Sequence, residues 1–154
     1  MNNPLLKEFK NEYGIPPFEL IKEEHYMPAF DKAIEEHAKE IKLIIDNKET
    51  PTFENTINAL ENSGELLSKV SRVFYNLLSA HSNDNLNKIA SEISPKLSRH
   101  NDSISLNQDL FIKIKKVHED KDPLNDEQQR LVQIIFDNFK SVSYTHLTLP
   151  TIAK

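Results

Sequence analysis

The side chains with the strongest claim on metal or proton chemistry are six histidines: His25, His37, His81, His100, His118 and His146. A zinc-binding helix of the HExxH type needs two imidazoles four residues apart, so that both face one ion, with a glutamate beside them to act on the metal-bound water. The closest pair here, His25 and His37, is twelve residues apart. With no cysteine in the chain, thiol nucleophiles, disulfides and thiolate zinc sites are excluded together. The two glycines, Gly14 and Gly64, stand alone, so no phosphate-binding loop, dinucleotide fingerprint or GxSxG elbow can be built. Carboxylates are plentiful but fall on the polar faces of helices, where a solvated surface is the simple account.

Taken singly, the same residues read as structural. His25 precedes Tyr26 at the start of a helix and suits packing or capping. His37 borders an apolar stripe and packs. His81 belongs to a loop, His81-Ser82-Asn83-Asp84, where capping is the expected role and contact with a ligand the alternative. Lys113, Lys115 and Lys116 make a solvated basic face. No catalytic, cofactor-binding or metal-ligating residue is therefore assigned in this chain.

The elements that would position any such group are helical. In the segment after the breaker-rich start, Phe30, Ile34, Ala38, Ile41 and Ile45 recur at steps of three and four, one stripe of an amphipathic helix. That helix stops in the polar run Asp46–Thr50, closed by Pro51. Thr52 is placed to cap the next helix, whose stripe is Phe53, Ile57, Leu60, Leu67, Val70, Phe74 and Leu77. Gly64 interrupts it, which predicts close packing of a neighbouring backbone, with a local break as the alternative. Asn83 or Asp84 should cap a helix carrying Leu86, Ile89, Ile93 and Leu97, kinked at Pro95. A further helix is expected after Asn101-Asp102, with Leu106, Leu110, Ile114 and Val117. Asp120 to Pro123 breaks it, and Asn125 or Asp126 begins a last one with Leu131, Ile135 and Phe139. The predicted architecture is all-α, an up-and-down bundle of about five helices. An extended arm over residues 1–24, containing Pro16 and Pro17, is expected to be pinned by Leu5, Leu6, Phe9 and Phe18; the helical region covers 25–140.

Composition agrees with this plan. Of 154 residues, 38% are apolar and 28% charged, a balance suited to a packed core. Two glycines are too few for a turn-rich sheet protein. A net charge of −5 without a basic face argues against nucleic-acid binding. The absence of a long apolar run argues against a leader or membrane span, so a cytoplasmic protein is expected.

From Ser141 the character changes. VSYTHLTLPT, residues 142–151, is β-rich and uncharged, and it matches the translation of a transposon-type sequencing adapter. Residues 141–154 are accordingly expected to be an artefact, with the natural sequence interrupted near Ser141. The apolar residues Val132, Ile135, Phe136 and Phe139 of the last helix would then partly lack cover.

Longer strings carry a resemblance. NPLL at 3–6, YGIPPF at 13–18, EHYMPAF at 24–30 and PTFENTINALENSGELLSKVSRVFYNLLSAHSND at 51–84 resemble the amino-terminal region of the thimet oligopeptidase-like zinc metallopeptidases. EISPKLSRHND at 92–102 and SLNQDLF at 105–111 do so as well. FENT with SGELL, VFYNL, SAHSND and ISPKLS is most similar to the peptidyl-dipeptidase (dipeptidyl carboxypeptidase) branch, with oligopeptidase A a poorer fit. The resemblance covers residues 3–140. It implies a parent protein that is almost wholly helical and two-lobed, with one zinc in a deep channel, releasing dipeptides from the carboxyl end of short unstructured peptides. The zinc ligands and the motif glutamate would lie beyond this chain, so no zinc is expected on these residues. The region would form a channel wall and take part in size selection and lobe closure. A stand-alone helical module that binds a peptide or partner helix is the competing account.

Overall fold

The computed structural model of the chain describes residues 2–10, 14–120 and 123–148. Those residues form helices and turns, with no strand among them. Six α-helices follow the arm: α1 (Tyr26–Asp46), α2 (Ala59–Glu61), α3 (Glu65–Ala80), α4 (Asp84–Ser105), α5 (Gln108–Glu119) and α6 (Asp126–Thr148). A single wide π turn, Phe53–Asn58, leads into α2. The all-α expectation holds. Tyr13, the central part of the Asp120–Pro123 breaker and residues 149–154 of the tail lie outside the described residues.

Capping side chains set the helix starts. Thr52 accepts the Asn55 amide at 3.2 Å, while Asn55 Oδ1 accepts the Thr52 amide at 2.8 Å, a reciprocal box. Asn83, rather than Asp84, caps α4 through the Leu86 amide at 2.8 Å. Asn125 caps α6 through the Gln128 amide at 2.9 Å, and Gln128 returns the bond to the Asn125 amide at 3.0 Å. The break predicted at Asn101-Asp102 is displaced: α4 runs through both, and the chain turns at Leu106-Asn107, where Asn107 accepts the Leu110 amide at 2.9 Å. Asn101 and Asp102 have no need to cap because α4 already has its start at Asn83. α4 also continues through Pro95.

The chain divides into two compact units. The first comprises residues 1–40 and 64–100. Its core joins Tyr26, Ala29, Phe30 and Ala33 of α1 to Val70, Val73 and Phe74 of α3, with Leu86 and Ile93 of α4 and Leu5 of the arm. Ala29, Ala33 and the Phe74 ring belong to the same buried cluster. That ring meets Tyr26 edge-on at 4.9 Å between centroids and Phe30 at 5.6 Å, geometry that aromatic quadrupoles favour. Ala38, placed on the α1 stripe by the sequence, is exposed. The buried face instead passes through Ala33 and the partly buried His37, and Ala38 is turned away from it by the helical step. On the arm, Leu5 is buried and Leu6 and Phe9 pack against the core, as expected. Phe18 does not: it is 48% exposed, in a turn where the Phe18 amide bonds the Pro16 carbonyl and the Leu20 amide the Pro17 carbonyl.

The second unit comprises residues 41–63 and 101–154. Ile41 and Ile44, Ile57 of the π turn, Leu110, Ile114 and Val117 of α5, and Val132, Ile135 and Phe139 of α6 form its core. This corrects the expectation that the last helix lacks cover. Val132, Ile135 and Phe139 are buried and Phe136 packs partly against the same core, because α5 offers a stripe with the matching three-four spacing. α6 does not stop at Ser141 but extends to Thr148, the Thr145 hydroxyl donating to the Ser141 carbonyl at 2.9 Å.

Truncating Phe74 removes its edge contacts with Tyr26, Phe30 and Tyr75 and leaves a cavity in a fully buried core. Phe74→Ala should cost about 3–5 kcal/mol, read as a lowered urea midpoint followed by helical circular dichroism. Tyr75→Ala, one residue on and partly exposed, should cost far less.

Candidate functional site

Among the described residues, no group of three or more His, Asp or Glu side chains is gathered so as to hold a metal ion. The histidines are distributed among structural tasks. His25 Nδ1 accepts the Lys22 amide at 3.0 Å, and the His25 carbonyl accepts Asn3 Nδ2 at 2.7 Å, so it closes the turn that opens α1 and ties the arm to it. His81 is the exposed residue that ends α3, its amide bonded to the Leu77 carbonyl at 2.8 Å. The cap of the following helix is Asn83 instead. His118 stacks on Phe136 at 4.0 Å and pairs with Gln133 Oε1 at 3.0 Å. The side chain of His146 lies outside the described residues. In the basic run, Lys115 pairs loosely with Glu119 at 3.7 Å. Lys113 departs from the solvated face expected of it, reaching the Asn47 carbonyl at 2.6 Å and closing the loop after α1.

The arrangement with most chemical content joins two histidines that the sequence holds far apart. His37 Nδ1 and His100 Nε2 lie 2.9 Å apart in a hydrogen bond, their rings edge-on with centroids at 4.9 Å. His100 is 7% exposed. A bond of this kind needs one proton between the two nitrogens and a lone pair on one of them. The His37 ring also lies flat against Gly64: a Cβ there would come within 2.9 Å of the imidazole. Gly64 has φ of +74° and caps α3, and its amide donates to Glu40 Oε2 at 2.6 Å. Thus Gly64 is a helix break, the less favoured of the two expectations, and the close neighbour is the His37 side chain rather than another backbone.

Electrostatics follow from this packing. Burial pushes the His37 imidazole below its ordinary 6.5, and the neighbouring His100 adds to the effect, while Glu40 works against both. Burial alone lowers His100. A second polar feature of the same unit is a cleft of about 460 Å³ lined by Phe18, Lys22, Glu23, Tyr26, His81 and Leu86 among others. Its carboxylate, Glu23, is engaged by Asn83 Nδ2 at 2.8 Å. The Tyr26 hydroxyl is buried without a hydrogen-bond partner; burial first, and Glu23 second, raise its pKa. Neither cluster pairs an activated nucleophile with a base.

No protein-family model matches the chain. Curated relatives do. Over 139 residues, 89% of this chain, it is 39% identical to a dipeptidyl carboxypeptidase of Salmonella typhimurium and 38% identical to a dipeptidyl carboxypeptidase of Escherichia coli. It is 25% identical over 111 residues to oligopeptidase A of Salmonella typhimurium. The chain spans about a fifth of the length of the curated relatives it matches, 20% for the first two and 16% for the third. The resemblance carried by the FENT, SGELL and VFYNL strings is borne out: the chain is similar to the amino-terminal part of these peptidases, with the dipeptidyl carboxypeptidases ahead of oligopeptidase A in identity.

Two outcomes test the geometry around the paired rings. Gly64→Ala should destabilise the chain by about 1–2 kcal/mol from the left-handed backbone alone, and by more once the His37 ring is displaced; thermal or urea unfolding reads this directly. Because both imidazoles are lowered in the folded state, the unfolded chain binds more protons near pH 6. Their stabilising contribution is fully present above about pH 6.5 and is lost as pH falls through the folded-state values. The urea midpoint should therefore be lower at about pH 5 than at about pH 7.5, by less in a His37→Gln, His100→Gln double variant.

Proposed function

We propose that this chain is the amino-terminal helical region of a zinc peptidyl-dipeptidase, a parent enzyme that removes dipeptides from the carboxyl end of short unstructured peptides. The observation that carries the reading is the 39% identity to a dipeptidyl carboxypeptidase across 139 residues, against 25% to oligopeptidase A across 111. An oligopeptidase A-type endopeptidase is the alternative within the same family. On this reading zinc is held by residues beyond this chain; among the described residues no group of three or more His, Asp or Glu side chains is gathered. The chain supplies scaffold: helices that wall a channel, admit short peptides and exclude folded ones. By itself it hydrolyses nothing. No helix among the described residues is long and apolar enough to cross a membrane, and a cytoplasmic parent that binds neither nucleic acid nor membrane is part of the proposal. So is the division of the chain into an arm over 1–24, a helical region over 25–140 and an adapter-encoded tail over 141–154. Helical geometry as far as Thr148 is neutral on the origin of that tail.

A second reading, a stand-alone module that binds a peptide or partner helix, draws on one observation. Each unit has its own buried core, and α6 has its apolar stripe covered by α5.

The source DNA, resequenced across the codon for Ser141, should continue into several hundred further codons that include HExxH and a later glutamate. The protein expressed from that frame should release C-terminal dipeptides from amino-blocked tetrapeptides, lose that activity to a chelator and regain it with zinc. The 154-residue chain assayed beside it should show none. A native stop after Lys154 would remove the peptidase reading and leave the binding module; cleavage at internal bonds without dipeptide release would favour the oligopeptidase type.

A further inference from the structure

His37 and His100 are 63 residues apart, yet they share one hydrogen bond, and the residues around it end segments of the first unit. Glu40, Gly64 and His100 are each the first or last residue of a segment that belongs to it. Glu40 holds the Gly64 amide at 2.6 Å, the His37 ring covers Gly64, and His100 is bonded to that ring at 2.9 Å. Three passages of chain are thus fastened by one group of four residues.

The number of protons on the pair decides whether the fastening holds. Two neutral imidazoles make the bond when both carry Nδ1–H or both carry Nε2–H, and one added proton leaves an imidazolium donating to a neutral ring. A second added proton leaves no lone pair on either ring, so two N–H donors and two positive charges face each other at hydrogen-bond distance. We propose that His37 and His100 form a proton-operated clasp, closed while the pair carries at most one added proton and opened by the second, which unseats the His37 ring from Gly64 and loosens the start of α3.

The charged groups around the pair fit two separated steps. Glu40, one turn along α1 from His37, favours the first proton on that ring. On the α3 side the His37 ring lies against the Gly64 peptide, which carries no charge. On α4, Lys96 lies one turn before His100 and is engaged with Asp31 at 2.5 Å. Burial of His100 leaves little water to solvate the doubly charged state, and the lowered pKa of each ring agrees. The inference concerns this chain's own residues and is independent of the peptidase reading.

The test is an NMR titration of the 154-residue chain from about pH 8 to about pH 4.5, following the imidazole nitrogens together with hydrogen exchange at the Gly64 and Ser68 amides. Ser68 bonds the Gly64 carbonyl at 2.9 Å and so reports the first turn of α3. Two coupled titration steps are expected, both below the ordinary histidine value. Base-corrected protection at Gly64 and Ser68 should fall at least about tenfold across the lower step, the equivalent of one pKa unit. Amides of Leu110 and Ile114, in the other core, should be unaffected. His100→Gln keeps a donor for His37 Nδ1 but cannot take the second proton, so protection should stay level through the same range. Independent titration of both rings at the reference value would overturn the clasp. So would an equal loss of protection in His100→Gln. If that variant does not fold, the wild-type ring titration alone decides.

Discussion

The first unit depends on the burial of Phe74 between Tyr26 and Phe30. Each of the three rings is fully buried, and the edge-on contacts of Phe74 with Tyr26 and Phe30 join α3 to the first half of α1. Ala29 and Ala33, one turn along from the two α1 rings, are fully buried in the same core, so small and large side chains pack together there. The packing has a polar cost: the Tyr26 hydroxyl is sealed off with no partner, an uncompensated desolvation of order 1–3 kcal/mol. Burying an aromatic ring of this size, with its edge contacts, offsets that. Phe at this position would keep the ring and lose the penalty, so the hydroxyl is tolerated by the core and not required by it.

The second constraint is local. A chain with two glycines must start and stop its helices by side-chain chemistry, and this one does so with short polar residues at the first turns. Thr52, Asn83, Asn107 and Asn125 each accept an amide three residues on. Gly64 is the exception that needs a positive φ, and its place at the start of α3 lets Glu40 take the role that a capping side chain would fill.

Those rules explain what could be read in advance. The three-four stripes of α3, α5 and α6 and the caps at Thr52, Asn83 and Asn125 are local patterns, so they were legible in the sequence. The false break at Asn101-Asp102 arose because these residue types cap so often that their presence resembles a signal. The deciding feature was Asn107, followed by an apolar residue at the third position, Leu110. Ala38 was misplaced because an alanine fits an apolar stripe and an exposed helical face equally well. The His37–His100 bond was not legible, since nothing local distinguishes two histidines 63 residues apart that meet from two that do not. For Gly64 the sequence signalled a special position, and only the fold reveals that an imidazole occupies the missing side chain's space.

The strings that carry the family resemblance can now be read residue by residue in physical terms. EHYMPAF contains the turn-closing His25 and three residues of the first core, Tyr26, Ala29 and Phe30. PTFENT contains the Thr52–Asn55 box and the buried Thr56. SGELL contains the left-handed Gly64 and the buried Leu67; VFYNL contains Val73 and Phe74; SAHSND contains the Asn83 cap. Each string is a capping or packing device, and none brings together a nucleophile, a base and a ligand set. The similarity is therefore a similarity of scaffold. The contacts that hold these helices are caps and two packed cores, which fix a scaffold without by themselves specifying a reaction. Hydrolysis by a longer protein, and not the stability of this chain, is therefore the property that tests the proposed peptidase reading.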